Sequence, residues 1–238
     1  MRRRHSLLLL AAASVAALGL VLSPAPRIHA VGAEIPLFDA HVHWSENAHD
    51  EIPLERALAI LDRSGVRMAA VSSTSDEATV RMYRADPKRV VPMLRPYRTR
   101  SDMGGWAKDA SIPPYLAERL KLGVHKGIGE FHLYGEDAAS PVMKEIVAMA
   151  VARNLVLHAH SDARAVEILF RHDPRARILW AHAGFTNAAE VDAMMARYPN
   201  LWVETAIRHD IGPGGALAED WKAVFLKYPD RWLVGTDS

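Results

Sequence analysis

From residue 35 onward, short apolar runs alternate with stretches in which apolar residues recur every three or four positions. Ile35-Pro36-Leu37-Phe38 leads into Asp39-Ala40-His41-Val42-His43, and a polar loop opens at Ser45. A run bounded this way reads as a buried strand. Side chains alternate across a strand, so Asp39, His41 and His43 point to one side. Leu54, Ala57, Leu58 and Leu61 then fall at helical spacing, ended by Gly65. The same alternation predicts strands at 66–72, 89–95, 124–132, 155–160, 177–183, 201–206 and 232–236. Between them it predicts helices at 76–85 and 115–122, one marked by Val142, Ile146, Met149 and Ala150, one from Asp162 to Arg171, one opened by an Asn187/Glu190 capping box, and one at 218–226. Residues 97–114 read as a long connection, of the kind that often carries function.

Eight strands alternating with helices imply parallel pairing through crossover helices. That number favours a closed (β/α)8 barrel over an open sheet. No helix follows the eighth strand before Ser238. The expectation is a truncated chain, or a partner over the gap, with parts of the first and eighth strands exposed.

The first thirty residues follow a different pattern. Arg2, Arg3 and Arg4 precede a 16-residue apolar run, Leu7 to Leu22, with Pro24 and Pro26 behind it and Ala30 at the end. This is the layout of a secretory signal peptide, residues 1–30, ahead of a barrel domain at 31–238. The run is short for a spanning helix, which needs ~20 residues, so an uncleaved anchor is the lesser alternative. Arg3-Arg4 hints at a twin-arginine signal, which His5-Ser6 fits poorly. The expectation is an exported protein, periplasmic or secreted, with no stable membrane association after cleavage. Its removal leaves 25 basic against 28 acidic residues, a charge of about −3. No basic stripe remains, which argues against a nucleic-acid surface. The chain has no cysteine, excluding disulfides and thiolate ligands. A small-molecule substrate is the expected partner, with a homo-oligomer left open.

In (β/α)8 barrels the site lies at the carboxyl ends of the strands. Here those ends carry His41, His43, Glu130, His132, His158, His160, His182, Glu204 and Asp237; six of the ten histidines after residue 30 fall there. A lone His-x-His is as readily a packed pair as a ligand pair. Concentration at one end of a barrel is what favours a metal. Imidazole and carboxylate ligands without thiolate suit Zn²⁺, Mn²⁺, Fe²⁺ or Ni²⁺, with zinc preferred.

Asp39-Ala40-His41-Val42-His43, single histidines ending strands five and six, and Asp237 after strand eight resemble the amidohydrolase superfamily of metal-dependent hydrolases. Trp180-Ala181-His182-Ala183-Gly184 resembles its amidohydrolase-related (amidohydrolase 2) branch. Gly127-Ile128-Gly129-Glu130 and His160-Ser161-Asp162-Ala163 are similar to the TatD type. The resemblance implies that His41, His43 and Asp237 bind one divalent ion. His160 and His182 bind a second, or one of them joins the first, and Glu130 bridges if two are present. It also implies that Asp237 is the catalytic proton carrier. Lys126, four residues before Glu130, lies too deep to replace it as a carboxylated lysine. Of the same-parity pair on strand five, His160 is the preferred ligand and His158 a supporting or core histidine. Asp39 is expected to orient an imidazole or a backbone group. Arg95, Arg208 and His132 are candidate substrate contacts, against the alternative of rim ion pairs or a strand cap. Trp44, Trp106 and Tyr134 either wall the pocket or pack.

These residues lead to a metal-dependent hydrolase of an amide, ester, lactone or phosphoester. Alternatives are a metal-dependent decarboxylase on the same site, a metal-binding protein without catalysis, and a nuclease. The acidity of the mature chain and its export signal oppose the last.

Overall fold

The computed structural model describes residues 35–238; the expected signal peptide at 1–30 lies outside them. Eight strands pair in parallel in strict sequence order: β1 (Leu37–Val42), β2 (Val66–Ser72), β3 (Val90–Leu94), β4 (Gly127–Leu133), β5 (Val156–Ser161), β6 (Arg177–Trp180), β7 (Leu201–Glu204) and β8 (Trp232–Leu233). Seven helices fill the crossovers: α1 (Leu54–Arg63), α2 (Asp76–Ala85), α3 (Ile112–Arg119), α4 (Pro141–Ala152), α5 (Ala163–His172), α6 (Ala188–Arg197) and α7 (Glu219–Lys227). The seam between β1 and the segment after β8 is joined by main-chain bonds: Ala40 N to Val234 O at 2.9 Å, Asp237 N to His41 O at 2.8 Å and His43 N to Ser238 O at 2.7 Å. The (β/α)8 barrel is therefore nearly closed.

The helices form where apolar spacing gives them one buried stripe. In α1, Leu54, Ala57 and Leu61 are buried, and with Val42, Val66 and Val71 they build a cluster against β1 and β2. A larger cluster joins α3 to α7 to the outer faces of the remaining strands, through residues such as Ile146, Leu169, Ile178 and Val191. Ser140, Asp162 and Asn187 each accept a main-chain N–H three residues ahead, capping α4, α5 and α6. The capping box expected at Asn187 is half formed. Glu190 gives its main-chain N–H to Asn187, but its carboxylate accepts from the Thr186 hydroxyl.

Boundaries differ from expectation where local geometry wins over apolar spacing. α3 starts at Ile112, inside the expected loop, because Pro113 and Pro114 fit a helix's first turn, where an N–H has no partner. The rest of that loop holds two 3₁₀ turns, Arg100–Gly104 and Trp106–Lys108. β6 stops at Trp180 and β7 at Glu204, earlier than the apolar runs suggested. Leu37 of β1 and Val234, just after β8, are exposed. Lys126 lies at the opposite, amino end of the barrel, lining an opening with Phe38, Arg177 and Trp202. No helix among the described residues is long and apolar enough to cross a membrane.

Candidate metal centre

Three imidazoles are fixed in the same way. His41 Nδ1 lies 2.9 Å from Glu204 Oε1, His43 Nδ1 2.5 Å from the Ser72 carbonyl and His182 Nδ1 3.1 Å from the Ala206 carbonyl. Carbonyls and carboxylates only accept hydrogen bonds, so each Nδ1 carries a hydrogen and each Nε2 faces inward. His41 Nε2 and His43 Nε2 are 3.0 Å apart, and Asp237 Oδ1 is 3.3 Å from the first and 3.2 Å from the second. Glu130 Oε2 is 3.2 Å from His43 Nε2, and Glu130 Oε1 is 3.6 Å from both His41 Nε2 and His182 Nε2.

These separations match the edges of a coordination shell. Ligand atoms about 2.0–2.1 Å from a tetrahedral zinc ion lie about 3.3 Å from one another. His182 Nε2, buried, has no hydrogen-bond partner. An orphaned buried polar atom facing the carboxylates of Glu130 at 3.6 Å and Asp237 at 4.0 Å, with the His41 imidazole beside it, fits a divalent cation.

The electrostatics agree. Burial opposes charge on His41, yet Glu130 and Glu204 hold its pKa up at about 10. Burial opposes charge on both glutamates too, and the histidines around them keep each carboxyl well below the usual range. Asp237 is held down in the same way by His43 and His41. Without an ion, the extra proton on His41 supplies the positive charge that the carboxylates require. Metal binding competes with that proton.

A left-handed turn delivers His182. His182, Ala183, Gly184 and Phe185 have φ of 55°, 48°, 62° and 50°. Such backbone costs about 1–2 kcal/mol at each non-glycine residue, and its clustering at a site points to function. The surroundings hold it in place. Glu204 Oε1 accepts from His182 N at 2.8 Å, and Arg208 donates to the carbonyls of His182 and Thr186, each at 2.8 Å. At Gly184 a Cβ would lie 2.0 Å from the Trp180 ring.

The other expected residues have definite places. Asp39 supports main chain, accepting from His41 N, Thr236 N and the Thr236 hydroxyl. His158 is buried next to His41, its ring centroid 4.6 Å away, and burial pushes its pKa down to about 4. His160 meets the centre through Nδ1, 2.8 Å from Glu130 Oε1. His132 stands to the side against His160 and accepts from the Tyr97 hydroxyl; burial pushes its pKa down to about 4. Arg95 is turned to Glu130, and Arg208 to the His182 turn and Asp210. Trp44 and Trp106 are packed in the interior, while Tyr134 is exposed. The sequence reading gave Glu204 no role, though it aligns two of the three imidazoles. The available signal was a carboxylate closing the otherwise apolar run Leu201-Trp202-Val203.

Solved structures share this architecture. An uncharacterized TIM-barrel protein from Bordetella bronchiseptica superposes with a TM-score of 0.58 at 14% identity, over 80% of this chain and 72% of its own. An amidohydrolase from Burkholderia multivorans with bound zinc gives 0.53 at 15%, over 85% and 84%. Amidohydrolase 2 from Bifidobacterium longum subsp. infantis gives 0.52 at 15%, over 84% and 82%. This chain shares the (β/α)8 barrel fold of these structures. No family model and no curated protein matches the sequence.

Gly184→Ala should lower the unfolding free energy by about 2 kcal/mol, from a close contact added to a strained backbone; urea denaturation measures this. A second expectation concerns pH. A group with a raised folded-state pKa stabilises fully below its unfolded value and loses that contribution as pH rises through the folded one. For His41 the window runs from 6.5 to about 10. Urea midpoints of metal-stripped protein should fall across it, and His41→Gln should flatten the fall.

Proposed function

We propose that this chain is a metal-dependent hydrolase of the amidohydrolase superfamily, acting on an amide, ester, lactone or phosphoester of a small molecule. The convergence of three inward Nε2 atoms with the carboxylates of Asp237 and Glu130 carries the reading. The shared fold supports it, since the barrels include one with bound zinc. His41, His43, His182 and Asp237 would hold the ion, with Glu130 adjoining. A divalent cation there lowers the pKa of a bound water toward ~7 and polarises the scissile oxygen.

The residues divide the remaining work by burial. Glu204 and Glu130 are enclosed, with side chains 0% and 3% exposed, whereas Asp237 is 24% exposed. Asp237 is thus the carboxylate at the centre that solvent and substrate reach. It accepts the proton of the attacking water and passes it to the leaving group. A cavity of about 200 Å³ opens beside His43, lined also by Ser45, Asn47, Thr74, Arg95 and Arg100. It is smaller than the ~300–1,000 Å³ of ordinary ligand pockets, which limits it to part of a small substrate. The pattern from Arg2 to Ala30 supports an exported enzyme.

One observation favours a second reading, decarboxylation on the same centre. Arg95 and Arg208 are engaged within the protein, but exposed Arg100 has no hydrogen-bond or ion-pair partner among the described residues and is free to pair with a carboxylate. Turnover in ¹⁸O-labelled water separates the two, because only hydrolysis places the label in the product's new hydroxyl or carboxyl group.

Elemental analysis of the purified protein should find divalent metal, and a His41→Ala/His43→Ala variant should have lost it. A metal-free wild-type protein would refute the reading. Asp237→Asn should reduce kcat by about 10²–10⁴-fold, the usual contribution of a positioned proton carrier. A pure metal-binding protein would show no turnover to lose.

A further inference from the structure

We infer that Arg95 serves as a built-in cation at this centre, so that the site takes one divalent ion rather than two. The inference rests on the metal-dependent reading above and concerns the number of ions.

The argument starts at Glu130, the carboxylate placed to bridge a pair of metals. Both of its oxygens already receive donors from the protein. Arg95 Nη2 is 2.7 Å from Oε2, and His160 Nδ1 is 2.8 Å from Oε1. Arg95 Nε also donates to the Glu130 main-chain carbonyl at 3.0 Å. That second bond fixes the guanidinium to the same residue's backbone and holds its planar fork in place. The side chains of Arg95 and Glu130 are 7% and 3% exposed, so water screens their attraction little. His160 presents an N–H to Glu130. A second ion bound between them would have to displace that hydrogen.

Charge balance points the same way. Glu130 and Asp237 touch the imidazole cluster directly, and Glu204 touches it through His41. Against these three negative charges stands the one positive charge of Arg95. One divalent ion neutralises the remainder. Two would leave an enclosed site with an excess of two positive charges, which a low-dielectric interior opposes. Removing Arg95 restores a third uncompensated carboxylate and frees Glu130 Oε2. Arg95 is therefore a positioning residue that sets metal stoichiometry, and its engagement with Glu130 leaves anchoring of substrate anions to Arg100.

The test is equilibrium dialysis of chelator-stripped full-length protein against Zn²⁺ or Mn²⁺, with bound metal counted by elemental analysis. Wild type should saturate at one ion per chain, and so should Arg95→Lys, which keeps the charge. Arg95→Met should take up a second ion at least tenfold more tightly than wild type does. Two ions bound by wild type overturn the inference while leaving the metal-dependent reading intact. No ion bound by wild type removes both. Circular dichroism checks that Arg95→Met is folded. A folded Arg95→Met that still stops at one ion overturns the role given to Arg95, and if it fails to fold, the wild-type and Arg95→Lys counts still decide the number of ions.

Discussion

The centre depends on hydrogen bonds that face away from it. A neutral imidazole has one nitrogen that donates and one that accepts, and the partner of the first decides which way the second points. Here a buried carboxylate and two main-chain carbonyls take the Nδ1 hydrogens of His41, His43 and His182. The Nε2 atoms of His41 and His43 meet each other, and all three Nε2 atoms are turned to Asp237 and Glu130. Such a cluster, largely enclosed, needs positive charge. A proton on His41 supplies it in the metal-free chain, and a divalent ion answers the same need.

Much of the surrounding structure serves that alignment. Glu204 holds His41 Nδ1 and His182 N with one oxygen, and the main-chain N–H of Ala206 with the other. Ala206 in turn offers its carbonyl to His182 Nδ1. Arg208 brackets the left-handed turn from outside, its guanidinium 4.9 Å from the centroid of the Trp221 ring. Asp39 joins the backbone of β1 to Thr236 and so places Asp237. These supporting contacts resemble the outer partners that orient ligands in metal sites generally. They also explain how His41, Asp39 and Glu204 persist deep in an apolar barrel, bonded to other buried groups, while His182 Nε2 is left without a partner and faces the centre.

The arginines show where charge alone misleads. Arg95 and Arg208 both sit at the carboxyl end of the barrel, where an anchor for an anionic substrate is expected. Each is instead bonded within the protein, one to Glu130 and one to the His182 turn. Exposed Arg100, in the 3₁₀ turn after β3, lines the cavity next to His43. Arginine's planar fork satisfies carboxylates and carbonyls as readily inside the molecule as in a ligand.

The linear order of residues determined the barrel, because period-two and period-3.6 apolar patterns alternate through eight strands and each crossover is long enough for a helix. It also determined which end carries the chemistry, since His41, His43, Glu130, His182 and Asp237 all follow apolar runs. Only the tertiary structure decided which nitrogen of each imidazole faces inward, because that depends on Ser72, Glu204 and Ala206, which lie in other strands or loops. The end of β6 at Trp180 belongs to the same class. The run Ala181-His182-Ala183 looks like more strand, and it becomes a left-handed turn only because Glu204 and Arg208, more than twenty residues away, bond its backbone. Local pattern specifies what buries apolar surface; the direction of a polar side chain is set by whichever distant partner satisfies it.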